Sequence, residues 1–285
     1  VIFNQFDEFG NACWHYEVTG NAICVVWDSL TTSAPAPAAY VSATGSAGTL
    51  AAGDFLRTVF PRITVVGAEA LQCPTLLMNG FGGHRIEGIG DKHVPWIHNV
   101  RNTDVITAID DEKCMRLFRL FNEPAGREYL VETGVPGDLV DSLDLLGISS
   151  IANVLAAIKT ARYFEFTSDD VIFTVATDGA DLYASRLDEM RDARGEYTAM
   201  DAARDADACL LGTTPDYFKE LSFTDKKAIH NLKYFTWVEQ QGKDVDDLRQ
   251  LWDDRDVWPR IFSQPARWDE LIHEFNDRTG VLASL

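Results

Sequence analysis

Basic residues are scarce in this chain. Lys and Arg number 25 against 44 Asp and Glu, a formal charge of −19. That balance excludes a broad polyanion-binding face, although a local site for one phosphate needs no net positive charge. Long apolar runs are also missing. None approaches the ~18 consecutive residues of a membrane span. The six histidines form no HxxxH or HExxH pair, which removes the usual helical zinc motifs. The five cysteines (Cys13, Cys24, Cys73, Cys114 and Cys209) are odd in number, and no two have CxxC spacing. A chain of this size needs no disulfide staples, so reduced thiols and a cytoplasmic setting are expected. Neither GxxxxGK[ST] nor a strict GxGxxG is present, and there is no internal repeat or low-complexity tract.

What is present is ordinary for a folded protein: 46% hydrophobic and 24% charged residues in a chain of 285. That length is near the limit of a single core, so one large or two smaller domains are expected. The first residue is Val1, and Val-Ile-Phe-Asn has no signal-peptide character. The expectation is a chain that begins inside a longer polypeptide.

Short apolar runs at 39–42, 62–68, 104–109 and 171–176 read as buried strands. Between them lie helical patterns: Leu50, Phe55, Leu56 and Val59, stopped by Pro61; Cys114, Leu117, Phe118 and Phe121, capped by Asp110; and Ile151, Val154, Leu155 and Ile158. Strands alternating with helices predict βαβ units and a mostly parallel sheet with flanking helices over 1–192. From 193 to 285 no strand is expected and the pattern is helical. Ile229, Leu232, Phe235 and Val238 form one stripe. Trp268, Leu271, Ile272 and Phe275 form another, closed by Gly280. These stripes are expected to pack on the α/β body or on a second copy of the chain.

In parallel α/β sheets ligands collect at the carboxyl ends of the strands. SATGSAGT (42–49) sits at such an end, before a helix. Small residues let its amides converge on an anion at the helix N-terminus, and Thr44, Ser46 and Thr49 add hydroxyls. The alternative is a tight turn whose small residues only permit packing. Gly88 and Gly90 flank Ile89, so backbone there is free to lie against a flat ligand or to form an ordinary loop. Asp178 suits a positively charged ring nitrogen, or equally a helix cap ahead of Ala180. Gln5 is a polar residue with no signal of its own. No histidine is assigned a role.

Taken in order, QFDEFGNACWHYEVTG (5–20), SATGSAGT (42–49), HRIEGIG (84–90), LLGISS (145–150) and VIFTVATDGADLY (171–183) resemble the later part of fold-type II pyridoxal 5'-phosphate (PLP) enzymes. The branch is that of cysteine synthase and cystathionine β-synthase. The resemblance covers roughly residues 1–190. It implies that Thr44, Gly45, Ser46, Ala47, Gly48 and Thr49 cradle the cofactor phosphate, that Gln5 faces the substrate carboxylate or the cofactor, and that Gly88 lies near the bound amino acid. Where the family carries a serine at the pyridine nitrogen, this chain has Gly179, which leaves Thr177 or Asp178 for that position. The family's Schiff-base lysine lies upstream of the QF segment, and no lysine here matches its motif.

The resemblance therefore implies a portion of a PLP-dependent lyase or transferase that carries out β-elimination or β-replacement on a Ser- or Cys-type amino acid. Its lysine would come from an N-terminal segment or another chain, in an oligomer. The competing reading is a non-catalytic partner or pseudoenzyme that keeps the fold and an anion site. A plain nucleotide-binding α/β domain is a third, set back by the missing fingerprints.

Overall fold

The computed structural model describes residues 3–30 and 33–284. Five strands form one sheet in the order β4-β1-β2-β3-β5. They are β1 (Ala39–Ala43), β2 (Thr64–Ala70), β3 (Val105–Ile109), β4 (Ile172–Thr174) and β5 (Phe218–Glu220). The first four are mutually parallel, and β5 pairs antiparallel with the outer side of β3. The expected α/β architecture with a largely parallel sheet and helical C-terminal part is borne out.

Both faces of the sheet are covered, which is why its strands read as continuous apolar runs. Alternation separates the faces. Val41, Val66 and Val105 join a core built with helices Asp111–Asn122 and Ile148–Tyr163. Tyr40 and Val65 turn the other way, onto Ile23, Leu50 and Leu56. Helix Leu50–Val59 presses so closely on the sheet that a Cβ at Gly53 would lie 2.8 Å from Val65.

The C-terminal part departs from its expected form in three ways. Residues 218–220 make a strand where none was expected. It is held at the sheet edge partly by the buried Lys159, whose Nζ donates to Ala108 O at 2.7 Å and Asp216 O at 2.8 Å. The expected division at 192/193 falls inside helix Ala184–Arg194, and Tyr197, Ala202, Ala206 and Cys209 lie in the main core. Finally, helix Gln264–Thr279 buries none of its residues, and Leu271, Ile272 and Phe275 are exposed. Its stripe therefore does not pack on the body; only Trp268 reaches the neighbouring cluster.

Helices Phe223–Lys233, Val245–Asp253 and Val257–Phe262 do pack on the body. Trp237, Leu248, Leu251, Trp258 and Phe262 enclose Trp96, Ile97, Ala12 and Cys13. Lys233 is fully buried there and donates to Trp96 O and His98 O at 2.8 and 2.7 Å. Burial pulls its pKa down to about 7. All five cysteines are free. Among the described residues no single helix is long and apolar enough to cross a membrane.

Candidate functional site

A cavity of about 390 Å³ opens at the carboxyl ends of β1 and β4, the place where a parallel sheet gathers ligands. Its floor is the turn after β1. Ala47 in that turn has φ +68°, the left-handed region that a non-glycine residue adopts only when its surroundings enforce it. Such a reversal turns successive amides toward one point, forming an anion-binding nest. The amides of Gly45, Ser46 and Ala47 have no hydrogen-bond partner among the described residues. Gly48 N donates to Ser46 Oγ at 3.4 Å, and Asn11 Nδ2 donates to the same hydroxyl at 2.9 Å, which fixes the rim of the turn. A side chain at Gly48 would strike the Asn11 amide.

The turn is braced from below. Tyr40 Oη donates to Thr49 O at 2.8 Å, and Ser42 Oγ donates to Thr49 Oγ1 at 2.7 Å. The loop 84–90 is stitched over it by Gly90 N donating to Thr44 O at 3.0 Å. Gly90 has φ +84°, and a Cβ there would run into the His84 ring. That glycine is required both by its conformation and by the close approach of the histidine.

One residue opens the crevice itself. The β1–β4 ladder ends at Val41 and Thr174. Just beyond, Asn153 inserts its amide between the strands: Ala43 N donates to its Oδ1 at 2.6 Å, and its Nδ2 donates to Val175 O at 2.7 Å. The side chain satisfies one backbone group on each strand while holding them apart. Asn153→Ala should leave both groups without partners, at about 1–3 kcal/mol each before water enters. Urea unfolding should show a loss of at least 1 kcal/mol; an unchanged midpoint and slope would contradict this bridging role.

The side walls are polar. Thr177 Oγ1 and Ser149 Oγ lie 3.2 Å apart, both lining the cavity. Gln5, Phe6, Asn11 and His15 approach from the N-terminal segment. His15 sits on a π-helical turn, His15–Thr19, with Nδ1 2.9 Å from Thr19 Oγ1, and burial lowers its pKa. Gly88, at φ +83°, lies beside Ser149, whose Oγ would be 4.0 Å from a Cβ at that position.

Of the residues singled out in the sequence, Gln5, Gly45, Ser46, Ala47, Thr49, Gly88 and Thr177 line this one cavity. Thr44 and Gly48 support the turn without lining it, and the Thr44 hydroxyl is buried without a partner among the described residues. Asp178 is a correction. Its carboxylate accepts from Tyr183 Oη at 2.6 Å, and Gly147 N donates to its carbonyl at 2.8 Å. Thr177 lines the cavity, whereas Asp178 is held by these contacts and does not line it. The cavity also takes in Asn11, His15, Ser149 and Asn153, which no sequence signal had picked out individually, although three of them lie inside segments that carry the family resemblance. No lysine lines it.

The turn fits a phosphate monoester: open amides, a left-handed residue aligning them and hydroxyls around the rim. The hydroxyl of Thr177 fits a neutral ring nitrogen better than a protonated one, since a hydroxyl does not hold the proton as a carboxylate does.

No family model matches the chain. It is 29% identical over 147 residues to cysteine synthase B of Campylobacter jejuni, covering 51% of this chain and 42% of that protein. It is 28% identical over 182 residues to a probable cysteine synthase of Bacillus subtilis, covering 64% and 51%. Among solved structures, O-acetylserine sulfhydrylase isoform 3 of Entamoeba histolytica aligns with a TM-score of 0.54 at 24% identity, over 73% of this chain and 53% of that one. The chain thus spans about half the length of the curated relatives it matches. The likeness to cysteine synthases read from the sequence motifs is borne out in sequence, and the structural alignment supports the shared fold.

Proposed function

We propose that this chain forms the phosphate-gripping part of a PLP-dependent enzyme that performs β-replacement or β-elimination on a Ser- or Cys-type amino acid. The observation that carries the reading is the turn at 44–49, with its unpartnered amides and the left-handed Ala47. When bound, PLP withdraws electrons from the α-carbon of an amino acid. The chain's own part is to position and select. The amides of Gly45, Ser46 and Ala47 receive the phosphate, with Thr44, Gly48 and Thr49 shaping the turn. Thr177, backed by Ser149, faces the ring nitrogen and leaves it neutral. Gln5 and Gly88 border the space left for the amino acid. The covalent lysine belongs to a segment or subunit outside this chain, in a cytoplasmic oligomer.

The lack of a lysine at the cavity also favours a second reading, a non-catalytic partner that retains the anion site. Both readings predict non-covalent PLP binding by this chain alone. Borohydride reduction of the complex, followed by intact mass measurement, should leave no stoichiometric cofactor adduct. An adduct on one lysine at full occupancy would overturn the assignment of the lysine to another chain. Adding the lysine-bearing partner should then produce a visible absorbance band under the first reading and none under the second.

A further inference from the structure

Asn11 joins two segments of the site that are distant in sequence. It sits on helix Phe9–Trp14, whose Ala12 and Cys13 are buried in one cluster with Trp258 and Phe262, so its backbone is firmly held. Its Nδ2 donates to Gln5 O at 3.0 Å and to Ser46 Oγ at 2.9 Å. Gln5 O is a carbonyl oxygen and can only accept, so the atom beside it is the amide nitrogen. Both hydrogens of that nitrogen are then committed, one to each segment. The amide fits against the turn only because residue 48 is glycine; a Cβ there would overlap it.

The direction of these bonds decides what Ser46 can do. The amide nitrogen offers no lone pair, so Ser46 Oγ is the acceptor of the Asn11 bond, and it also accepts from Gly48 N at 3.4 Å. A hydroxyl has two acceptor sites and one proton. With both sites taken the proton remains, and it has no acceptor among the described residues. Ser46 lines the cavity, so that proton is available to an anion held by the neighbouring amides. Donation to an anion makes the oxygen a stronger acceptor and tightens the bond from Asn11. Because the same nitrogen also holds Gln5 O, the change reaches the Gln5 segment.

We propose that Asn11 is a positioning residue. It aims the Ser46 proton at a bound phosphate and links occupancy of the turn to the Gln5 segment, which lines the same cavity. The inference rests on reading the turn at 44–49 as the phosphate site, and adds that the two segments respond together.

Inorganic phosphate tests it, because it fills the turn without a ring that would touch Gln5 directly. The Phe6 amide shares its peptide group with Gln5 O and so reports the Asn11 bond. Titration of the intact chain, followed by backbone amide resonances, should shift Ser46 and Phe6 along one saturation curve. In Asn11→Ala, phosphate should bind about tenfold more weakly, with Ser46 still shifting at high phosphate and Phe6 no longer responding. Asn11→Asp keeps the shape, loses the donors and should restore neither effect. Ser46→Ala, with Asn11 intact, should also silence Phe6, which keeps the test valid if the Asn11 variants fold poorly. No shift at Ser46 in the unaltered chain would overturn the phosphate site and this proposal with it. A Ser46 shift without one at Phe6, a Phe6 response that survives in Asn11→Ala or Ser46→Ala, or phosphate affinity unchanged in both Asn11 variants would overturn this proposal alone.

Discussion

Replacing Ala47 by valine is expected to abolish PLP binding, with affinity falling at least tenfold, whereas glycine at the same position keeps it. Ala47 holds φ +68° in the middle of the turn and is almost fully buried beside Tyr40 and Leu50. A β-branched side chain is a genuine outlier at that angle, and the strain of such a conformation is about 1–3 kcal/mol. The turn can relieve it only by abandoning the left-handed geometry that aligns the neighbouring amides. Each 1.4 kcal/mol of lost alignment is about tenfold in affinity. Glycine carries no such penalty and changes stability by about 1 kcal/mol at most. Equilibrium dialysis of PLP against the two variants checks the pair. Equal retention by both would mean that the left-handed residue has no part in binding.

Two truncations should differ sharply. Ending the chain after Leu221 removes Lys233, Trp237, Leu248, Leu251, Trp258 and Phe262, and uncovers Trp96, Ile97, Ala12 and Cys13. Each large side chain so exposed forfeits roughly 1.5–3 kcal/mol, and the sum exceeds the 5–15 kcal/mol by which a domain is usually stable. That product should be insoluble or unfolded. Ending after Ser263 removes a helix that buries none of its residues, and the remainder should keep its cooperative melt. Circular dichroism melts of both products decide the matter. A folded 1–221 fragment would show that the helices at 223–262 are an independent appendage. If the exposed stripe of Leu271, Ile272 and Phe275 serves a second copy, the shorter loss should also lower the mass seen in light scattering.

The strands at 39–43, 64–70 and 105–109 were legible because a sheet covered on both faces demands uninterrupted apolar runs, and their flanking helices because one buried face imposes a period near 3.6. Two other features were not. Phe218-Lys219-Glu220 is too short to show any period, and its place at the sheet edge depends on Lys159, which is far away in sequence. The stripes of Leu232 and Phe275 look alike in sequence, yet only the first reaches the body, through Ile229, Leu232 and Val238 with Phe235 left exposed, because amphipathicity says that a face is apolar and not what covers it.

In the candidate site, the turn at 44–49 was readable from small residues at a strand end. Asp178 misled because its carboxylate advertises chemistry, whereas its contacts with Tyr183 and Gly147 hold it away from the cavity that Thr177 lines. Asn153 went unnoticed for a different reason. Within a helical stretch it reads as an ordinary polar position, and only the three-dimensional gap between β1 and β4 gives its amide two backbone partners.

The central claim is that the amides after β1 hold a cofactor phosphate. It is tested most directly by following the backbone amide resonances of Gly45, Ser46 and Ala47 while the chain is titrated with PLP and, separately, with pyridoxal lacking the phosphate. The account predicts large, saturable shifts at those amides with PLP, reversed by excess inorganic phosphate, and little change there with pyridoxal. Shifts of equal size with both compounds, or shifts confined to residues elsewhere, would contradict it.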